Sequence, residues 1–92
     1  MKIFKHPLQL LKEQQVSLRL CARILTVQVQ REVPCLWAEF DDAPSPWPGE
    51  SLRIIVMYAT GEEYELDTKL HYISTIMLRG GDEVYHVFEK TE

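Results

Sequence analysis

The feature that most constrains the fold is a run of alternating apolar and polar residues at 24–30, followed two residues later by an apolar-rich run at 33–40. Alternation with period two and β-branched side chains are typical of a strand that buries one face. If Arg31-Glu32 form a two-residue turn, the runs pair as a β-hairpin with one continuous apolar face. The predicted opposite pairs are Val29–Pro34, Val27–Leu36 and Leu25–Ala38.

The other face of this hairpin carries a tryptophan among hydrogen-bonding side chains, because the same register turns every second residue to that side. Its members are Thr26, Gln28, Gln30, Val33, Cys35, Trp37 and Glu39. This second face is a candidate binding site. Pro34 has no backbone donor, so its strand is expected at a sheet edge or with the proline on the unpaired side.

A second hairpin is predicted from residues 71–78 and 83–89, joined by Arg79-Gly80-Gly81-Asp82. Adjacent glycines supply the positive φ values that a type I′ turn needs. In this register His71 and His86 share a mainly apolar face. A histidine in that setting is more often a hydrogen-bonded core residue than a ligand.

Three further segments complete the expected sheet. Residues 52–58 are apolar on both faces, which indicates a strand that is central or covered by a partner chain. Few other elements remain in so small a domain to cover a second face, so a homo-oligomer is expected. Residues 3–8 and 16–20 add strands, and residues 10–14 are expected to make a short helical turn.

The expected architecture is one mainly β domain over residues 1–92. It is a small antiparallel sheet or sandwich of about six strands built on two hairpins, with at most one short helical turn. Residues 41–51 form a proline-rich loop, in which Trp47 is either a lid over the core or an exposed contact. Residues 61–69 carry four acidic side chains and are expected to be a solvated acidic loop.

Composition restricts the partners of this chain. Ten Lys and Arg against fourteen Asp and Glu give a formal net charge of -4, which disfavours binding to a nucleic-acid polymer. No stretch approaches the roughly 20 apolar residues of a membrane span, so no membrane partner is expected and the cytoplasm is the expected location. Cys21 and Cys35 are expected to be reduced thiols rather than a disulfide.

Catalysis is not expected from the motifs present. The spacings of the cysteines and histidines match no zinc pattern, and neither a nucleophile elbow nor a phosphate-binding glycine loop occurs. We therefore expect no enzyme, no metal and no cofactor. A small hydrolase that uses His86 with a neighbouring acid remains an alternative.

Ligand binding requires less than catalysis does. Guanidinium groups can clamp a phosphate, and aromatic rings can stack on a base. The same side chains equally form ion pairs or pack the core, so both interpretations stay open. The candidate ligand-binding residues are Arg23, Gln28, Cys35, Trp37, Glu39, Trp47, Arg53 and His86.

Five short motifs run along the chain: I-L-T-V-Q-V-Q at 24–30, P-C-L-W-A at 34–38, Y-I-S-T at 72–75, Gly-Gly at 80–81 and H-V-F-E at 86–89. In these motifs and in its N-terminal run the chain resembles a family of small uncharacterised phage and bacterial proteins. Members of that family commonly carry Asn-Gly where this chain has Arg31-Glu32, which favours the two-residue turn. The resemblance implies a phage or prophage setting, and it supplies neither a catalytic residue nor a ligand.

The expected function is that of a non-enzymatic phage-type accessory protein that acts by binding. Its best form is a counter-defence protein that sequesters a nucleotide immune signal or blocks a host defence protein. One alternative is a virion or structural assembly protein, in which residues 54–57 form an assembly surface. The other is the small hydrolase.

Overall fold

The computed structural model describes residues 1–41 and 49–91, which form seven strands in two antiparallel sheets. The strands are β1 (Lys2–Pro7), β2 (Glu13–Arg19), β3 (Arg23–Gln30), β4 (Val33–Phe40), β5 (Glu50–Ala59), β6 (Leu70–Leu78) and β7 (Glu83–Lys90). One sheet has the order β1-β4-β3 and the other the order β2-β5-β7-β6. Within the described ranges the helical structure is one 3-10 turn, Arg79–Gly81. The expected mainly β, antiparallel fold built on two hairpins is confirmed.

The core lies between the two sheets, each of which buries one face. Val27 and Leu36 of the three-stranded sheet and Ile55 and Val87 of the four-stranded sheet are fully enclosed. Burial of each such side chain contributes roughly 1.5–3 kcal/mol to stability. The two faces that point away from the core are therefore the broad surfaces on which a site can form.

The first hairpin has the predicted two-residue turn. Gln30 lies opposite Val33, and the predicted pairs Val29–Pro34 and Val27–Leu36 are confirmed. Arg31 and Glu32 have φ values of 51° and 64°, which lie in the left-handed region that a type I′ turn requires. Residues other than Gly, Asn and Asp rarely adopt this region. This turn is therefore made by two residues that fit it poorly.

The second hairpin turns at the predicted Gly-Gly pair, with Gly80 and Gly81 both at positive φ. Arg79 also has a positive φ, of 52°, and the connection between the paired residues Leu78 and Glu83 has four residues, of which Arg79–Gly81 form the 3-10 turn. The backbone N–H of Arg79 donates to the Glu32 carboxylate at 2.8 Å, which ties the turns of the two hairpins together.

A β-bulge in β3 changes which residue of the first hairpin faces the core. The pairing shifts between Ile24 and Thr26, so Ile24 lies opposite Ala38 and packs on the core while Leu25 is exposed. The predicted Leu25–Ala38 pair is wrong, because a bulge adds one residue and reverses the alternation beyond it.

A second bulge, in β6, has the same effect on the second hairpin. The pairing shifts between Tyr72 and Ser74. His71 lies opposite Glu89 and thus on the side of the sheet away from His86, which lies opposite Thr75. The predicted shared face of the two histidines is therefore wrong.

Both bulges lie where edge strands of the two sheets meet, beside one buried serine. The Ser74 hydroxyl donates to the carbonyl of Val27 at 2.6 Å and accepts the Val27 N–H at 3.0 Å. Bulges bend a strand and increase its twist, which allows the edges of β3 and β6 to approach one another. We call this pair of hydrogen bonds the Ser74 bridge.

Strand β5 is apolar on both faces because it is central in its sheet and because the loop after it covers part of its outer face. Tyr64 of this loop stacks on Tyr58 with ring centroids 4.5 Å apart, and Val56 is only 2% exposed. The acidic side chains of Glu63 and Glu65 are exposed as expected. A partner chain is therefore not required to cover β5, and the homo-oligomer stays a prediction.

The helical turn predicted at 10–14 is wrong. Gln14 instead belongs to β2, and its side-chain amide bonds to both backbone groups of Gln9, at 3.1 Å to the N–H and 2.7 Å to the carbonyl. These two hydrogen bonds close an irregular connection between β1 and β2, and they replace the backbone bonds that a helical turn would have made.

Of the two expectations for Pro34, an edge strand is wrong, because β4 is the central strand of its sheet. The other expectation, a proline on the unpaired side, agrees with the register. The register between β1 and β4 ends at Cys35, one residue after the proline. The carbonyl of Pro34 still accepts the N–H of Leu8 at 2.8 Å. The proline is tolerated because it lies at the end of the strand, where the ladder with β1 stops.

Candidate functional site

The outer face of the three-stranded sheet brings together five of the eight candidate residues. Arg23, Gln28, Cys35, Trp37 and Glu39 all lie on this face. The register places Trp37 on the central strand, between Thr26 of β3 and Lys5 of β1. We call this surface the tryptophan face. The predicted grouping of Gln28 with Trp37 on one side of the sheet is confirmed.

The polar groups of the tryptophan face are largely paired with one another. Arg23 forms an ion pair with Glu39 at 2.5 Å, and Lys5 donates to the side-chain carbonyl of Gln30 at 2.6 Å. The side-chain amide of Gln28 donates to the Thr26 hydroxyl at 2.9 Å. The long polar side chains around Trp37 are therefore oriented by hydrogen bonds and an ion pair within the protein itself.

Cys35 contributes less to this face than its position in the strand predicted. It is 2% exposed, and its thiol donates to the carbonyl of Val33 at 3.5 Å. A thiol this buried does not offer its sulfur to a ligand. Cys35 and the exposed Cys21 are not bonded to each other in this structure, and their reduced state stays a prediction.

Arg53 lies in the other sheet and is already occupied by protein groups. Its guanidinium makes a two-point ion pair with the Glu89 carboxylate, and a third nitrogen donates to the carbonyl of Ala22 at 2.9 Å. It lines a cleft of about 350 Å³ that Arg23 also lines, together with His71. The two predicted arginines thus share one cleft, although each is paired with a carboxylate.

His86 lies on the outer face of the four-stranded sheet, at the centre of a hydrogen-bonded chain. The Thr60 hydroxyl meets its Nε2 at 2.8 Å, and the Thr75 hydroxyl meets its Nδ1 at 3.1 Å. Tyr72 extends the chain, with its hydroxyl 2.6 Å from that of Thr75. Among the described residues, its bonded partners are hydroxyl groups and not the neighbouring acid that the hydrolase hypothesis needs.

Four aromatic rings lie beside this chain, and the sequence interpretation did not identify them as a group. Tyr64 stacks on Tyr58, and Phe88 makes an edge contact with Tyr72 at 5.7 Å. Phe88 is also 5.9 Å from Tyr64, so one cluster links the loop to three strands. The signal in the sequence was weak: Tyr58 and Phe88 fall on the same alternating face as His86, but Tyr64 lies in a loop.

The aromatic rings and the hydrogen-bonded chain line one open cleft of about 340 Å³. We call it the tyrosine cleft. Its walls are formed by Tyr58, Thr60, Tyr64, Tyr72, His86 and Phe88. Trp47, the remaining candidate, lies outside the described residues.

An exposed ion pair lies at the edge of the tyrosine cleft. The Lys12 ammonium is 2.5 Å from the Glu62 carboxylate, which also accepts the N–H of Ala59 at 3.0 Å. The hydrogen bond and charge of Glu62 raise the pKa of Lys12 above its ordinary value. The hydrogen bonds from Lys12 and Ala59 lower the pKa of Glu62. Glu62 is therefore neutralised locally and is not a free anion in the cleft.

In residues 1–41 and 49–91, no three or more His, Cys, Asp and Glu side chains are grouped as metal ligands. No helix in the same ranges has the length and apolar character to cross a membrane.

Comparison with known proteins gives one match. The family described as a domain of unknown function (DUF7352) matches residues 1–92. No curated protein and no solved structure matches the chain.

Proposed function

Since the chain belongs to the DUF7352 family, which is a domain of unknown function, we propose a function from the structure: the protein acts without catalysis, by binding another protein through the tryptophan face. The observation that carries this proposal is the position of Trp37. It is half-buried at the middle of a three-stranded face and is surrounded by side chains that are already fixed by hydrogen bonds.

Such a face suits a protein partner better than a small ligand. Small-ligand sites are usually concave, whereas protein interfaces are broad and concentrate their affinity on a few central aromatic residues and arginines. The cleft at the edge of this face is lined by Lys5, Pro7, Gln30, Arg31, Val33 and Cys35, so Trp37 stands outside it. Pre-fixed polar groups also reduce the entropy lost on binding.

The partner we propose is a host defence protein that the binder blocks, in a phage or prophage setting and in the host cytoplasm. This finer statement depends on the motifs at 24–38 and 72–89, which resemble those of small phage proteins. A small binder of this kind works in stoichiometric amounts. Homo-oligomerisation, which remains part of the proposal, would present more than one tryptophan face per particle.

A nucleotide immune signal is the second form of the counter-defence proposal. The cleft that Arg23 and Arg53 share supports it, because two guanidinium groups next to Tyr72 can hold a phosphate and a base. Both arginines would have to leave Glu39 and Glu89 first, which costs part of the binding free energy. We therefore rank this form below the protein partner.

The test compares Trp37→Ala with Met77→Ala. Met77 is 60% exposed on the outer face of the other sheet, so it controls for the loss of an exposed apolar side chain. With tagged protein expressed in the host cell, we expect the Trp37 variant to lose its captured partner and the Met77 variant to keep it. A central aromatic residue typically contributes about 2 kcal/mol or more, which weakens binding by roughly 30-fold.

Circular dichroism of both variants checks that the fold is intact. If the Trp37 variant captures the same protein with the same affinity, the tryptophan face is not the interface. Calorimetry with cyclic and ADP-ribose-type nucleotides tests the nucleotide form of the proposal. That form predicts a heat of binding in the native protein that is lost in Arg53→Met. Capture of a virion component in place of a defence protein would favour the assembly alternative.

A further inference from the structure

We infer that the tyrosine cleft is a second binding site, independent of the tryptophan face, and that its ligand is a neutral sugar ring. The inference begins with exposure. Tyr72 is 60% exposed and Tyr64 is 48% exposed, although both belong to one packed aromatic cluster. Aromatic rings that are exposed beside organised polar groups offer a ligand both apolar area and hydrogen-bonding partners.

The size and shape of the cleft fit one ring. Its volume of about 340 Å³ is at the lower end of the range of small-ligand sites. The rings of Tyr72 and Phe88 meet edge to face, so the cleft has an aromatic wall and an aromatic floor. The carbon-bound hydrogens on one side of a sugar ring form an apolar patch that stacks on such a wall.

The charge of the cleft selects against ions. In the described part of the chain, its lining contains no lysine or arginine, and the ammonium of Lys12 at its edge is paired with Glu62. A phosphate or carboxylate would therefore have to compete with Glu62 for Lys12. Its one carboxylate, on Glu62, is paired with Lys12 and with the N–H of Ala59. A cationic ligand would therefore have to displace Lys12, whose ammonium already lies 5.9 Å from the centre of the Tyr58 ring.

The hydrogen-bonded chain explains why the ligand should carry hydroxyl groups. Each neutral tautomer of a histidine ring has one donor nitrogen and one acceptor nitrogen. With either tautomer of His86, the chain from Thr60 through Thr75 to Tyr72 runs in one direction. In one direction Tyr72 has its O–H free to donate, and in the other Thr60 does. Hydroxyl groups both donate and accept, so a polyol matches either direction without rearrangement of the side chains.

These four properties together favour a neutral sugar over the other small ligands. A nucleotide and a sugar phosphate would have to compete with Glu62 for Lys12, and a quaternary amine would compete with Lys12 itself. A purely apolar ligand would leave the hydroxyl groups of Tyr72 and Thr60 without a ligand partner. The sugar is either free or the end of a glycan. A methyl glycoside distinguishes the two sources, because it blocks the anomeric hydroxyl as a glycosidic bond does.

The experiment is saturation-transfer-difference NMR on the full chain, with glucose, galactose and N-acetylglucosamine, their methyl glycosides, glucose 6-phosphate and choline as probes. We expect saturation transfer from the protein to at least one neutral sugar, strongest at the hydrogens on one face of its ring. Glucose 6-phosphate should give no stronger transfer than glucose. A free-sugar ligand requires transfer to be lost in the methyl glycoside, and a glycan-end ligand requires it to be kept.

Three variants locate the binding. Tyr72→Ala removes the aromatic wall and should weaken binding by about tenfold or more. Tyr72→Phe keeps the ring and removes the end of the chain, which should weaken binding by roughly 2–10-fold. Met77→Ala, on the same strand and face with the same 60% exposure, should leave binding unchanged.

Several results would overturn the inference. They are the absence of transfer to every neutral sugar, a requirement for the phosphate, preferential transfer to choline, and binding that survives Tyr72→Ala in a folded protein. None of them bears on the tryptophan face. Loss of protein capture in Trp37→Ala, conversely, leaves the sugar experiment unaffected, because Trp37 and Tyr72 lie on different sheets.

Discussion

Ser74 shows how much of this fold depends on one small polar side chain. It is 8% exposed, and its hydroxyl satisfies both the N–H and the carbonyl of Val27, a residue that is itself fully buried. Removal of the hydroxyl deprives the N–H and the carbonyl of Val27 of this partner, and unpaired buried backbone groups lower stability.

We expect Ser74→Ala to lower the free energy of unfolding by about 1–3 kcal/mol. Ser17→Ala is the matched control, because Ser17 is exposed and bonds only to the Glu50 side chain at 2.7 Å; that change should cost less than about 0.5 kcal/mol. Urea unfolding followed by tryptophan fluorescence measures both values. Equal losses in the two variants would mean that the Ser74 bridge contributes nothing to stability.

At the same scale, the sequence predicted the members of the tryptophan face but not their availability. Period-two alternation was sufficient to place Gln28 and Trp37 together. It contained no information about the burial of Cys35 or about the carboxylate that holds Arg53, since both depend on strands that are distant in the sequence.

Among the elements, the turn of the first hairpin is the one that fits its sequence least. Arg31 and Glu32 both have positive φ, which costs a residue with a side chain roughly 1–2 kcal/mol. At Glu32 a hydrogen bond offsets part of this cost, because its carboxylate accepts the N–H of Arg79. Arg31 is therefore the better position for a stabilising change.

We expect Arg31→Asn to raise the free energy of unfolding by about 0.5–1 kcal/mol, because asparagine tolerates the left-handed region. Arg31→Ala should give no such gain, since alanine has the same steric difficulty as arginine at this φ. Thermal unfolding monitored by circular dichroism compares the three proteins. A gain in the alanine variant as large as that in the asparagine variant would trace the effect to the lost charge instead.

The elements also mark the limit of pattern-based prediction for this chain. Both hairpins and the apolar strand between them were predicted from alternation and turn residues, and their bounds agree closely with β3 to β7. The two bulges were not, because the alternation of residue types does not show where a strand carries one extra, unpaired residue. A shift of one residue places Ile24 instead of Leu25 opposite Ala38, and it places His71 and His86 on different faces of their sheet.

For the molecule as a whole, stability should depend on pH through the pair of Lys12 and Glu62. The folded state lowers the pKa of Glu62 from its ordinary value of 4.5, so its contribution is complete above that value and is lost as the pH falls through the folded pKa. The folded state raises the pKa of Lys12 from 10.5, so its contribution is complete below that value and is lost as the pH rises through the folded pKa.

We therefore expect the stability difference between the native protein and Glu62→Gln to be largest near neutral pH and to shrink towards both extremes. Glutamine keeps the side-chain carbonyl that accepts the Ala59 N–H, so the comparison isolates the charge. The measurement is the urea midpoint of both proteins across the pH range. A difference that stays constant with pH would show that the charges do not stabilise the fold.

The whole-molecule site was the hardest part to predict from sequence. The tyrosine cleft draws one ring from a loop and three from separate strands, and its members are up to 30 residues apart from Tyr58 to Phe88. No local pattern connects such residues. Only the order of the strands in the four-stranded sheet brings them together.

That same order leaves the tryptophan face and the tyrosine cleft on opposite broad sides of a molecule whose smallest Cα extent is 16 Å. The two surfaces come closest at the cleft that Arg23 and Tyr72 both line. If both proposals hold, a single copy would act as an adaptor that carries a protein on one sheet and a sugar-bearing molecule on the other.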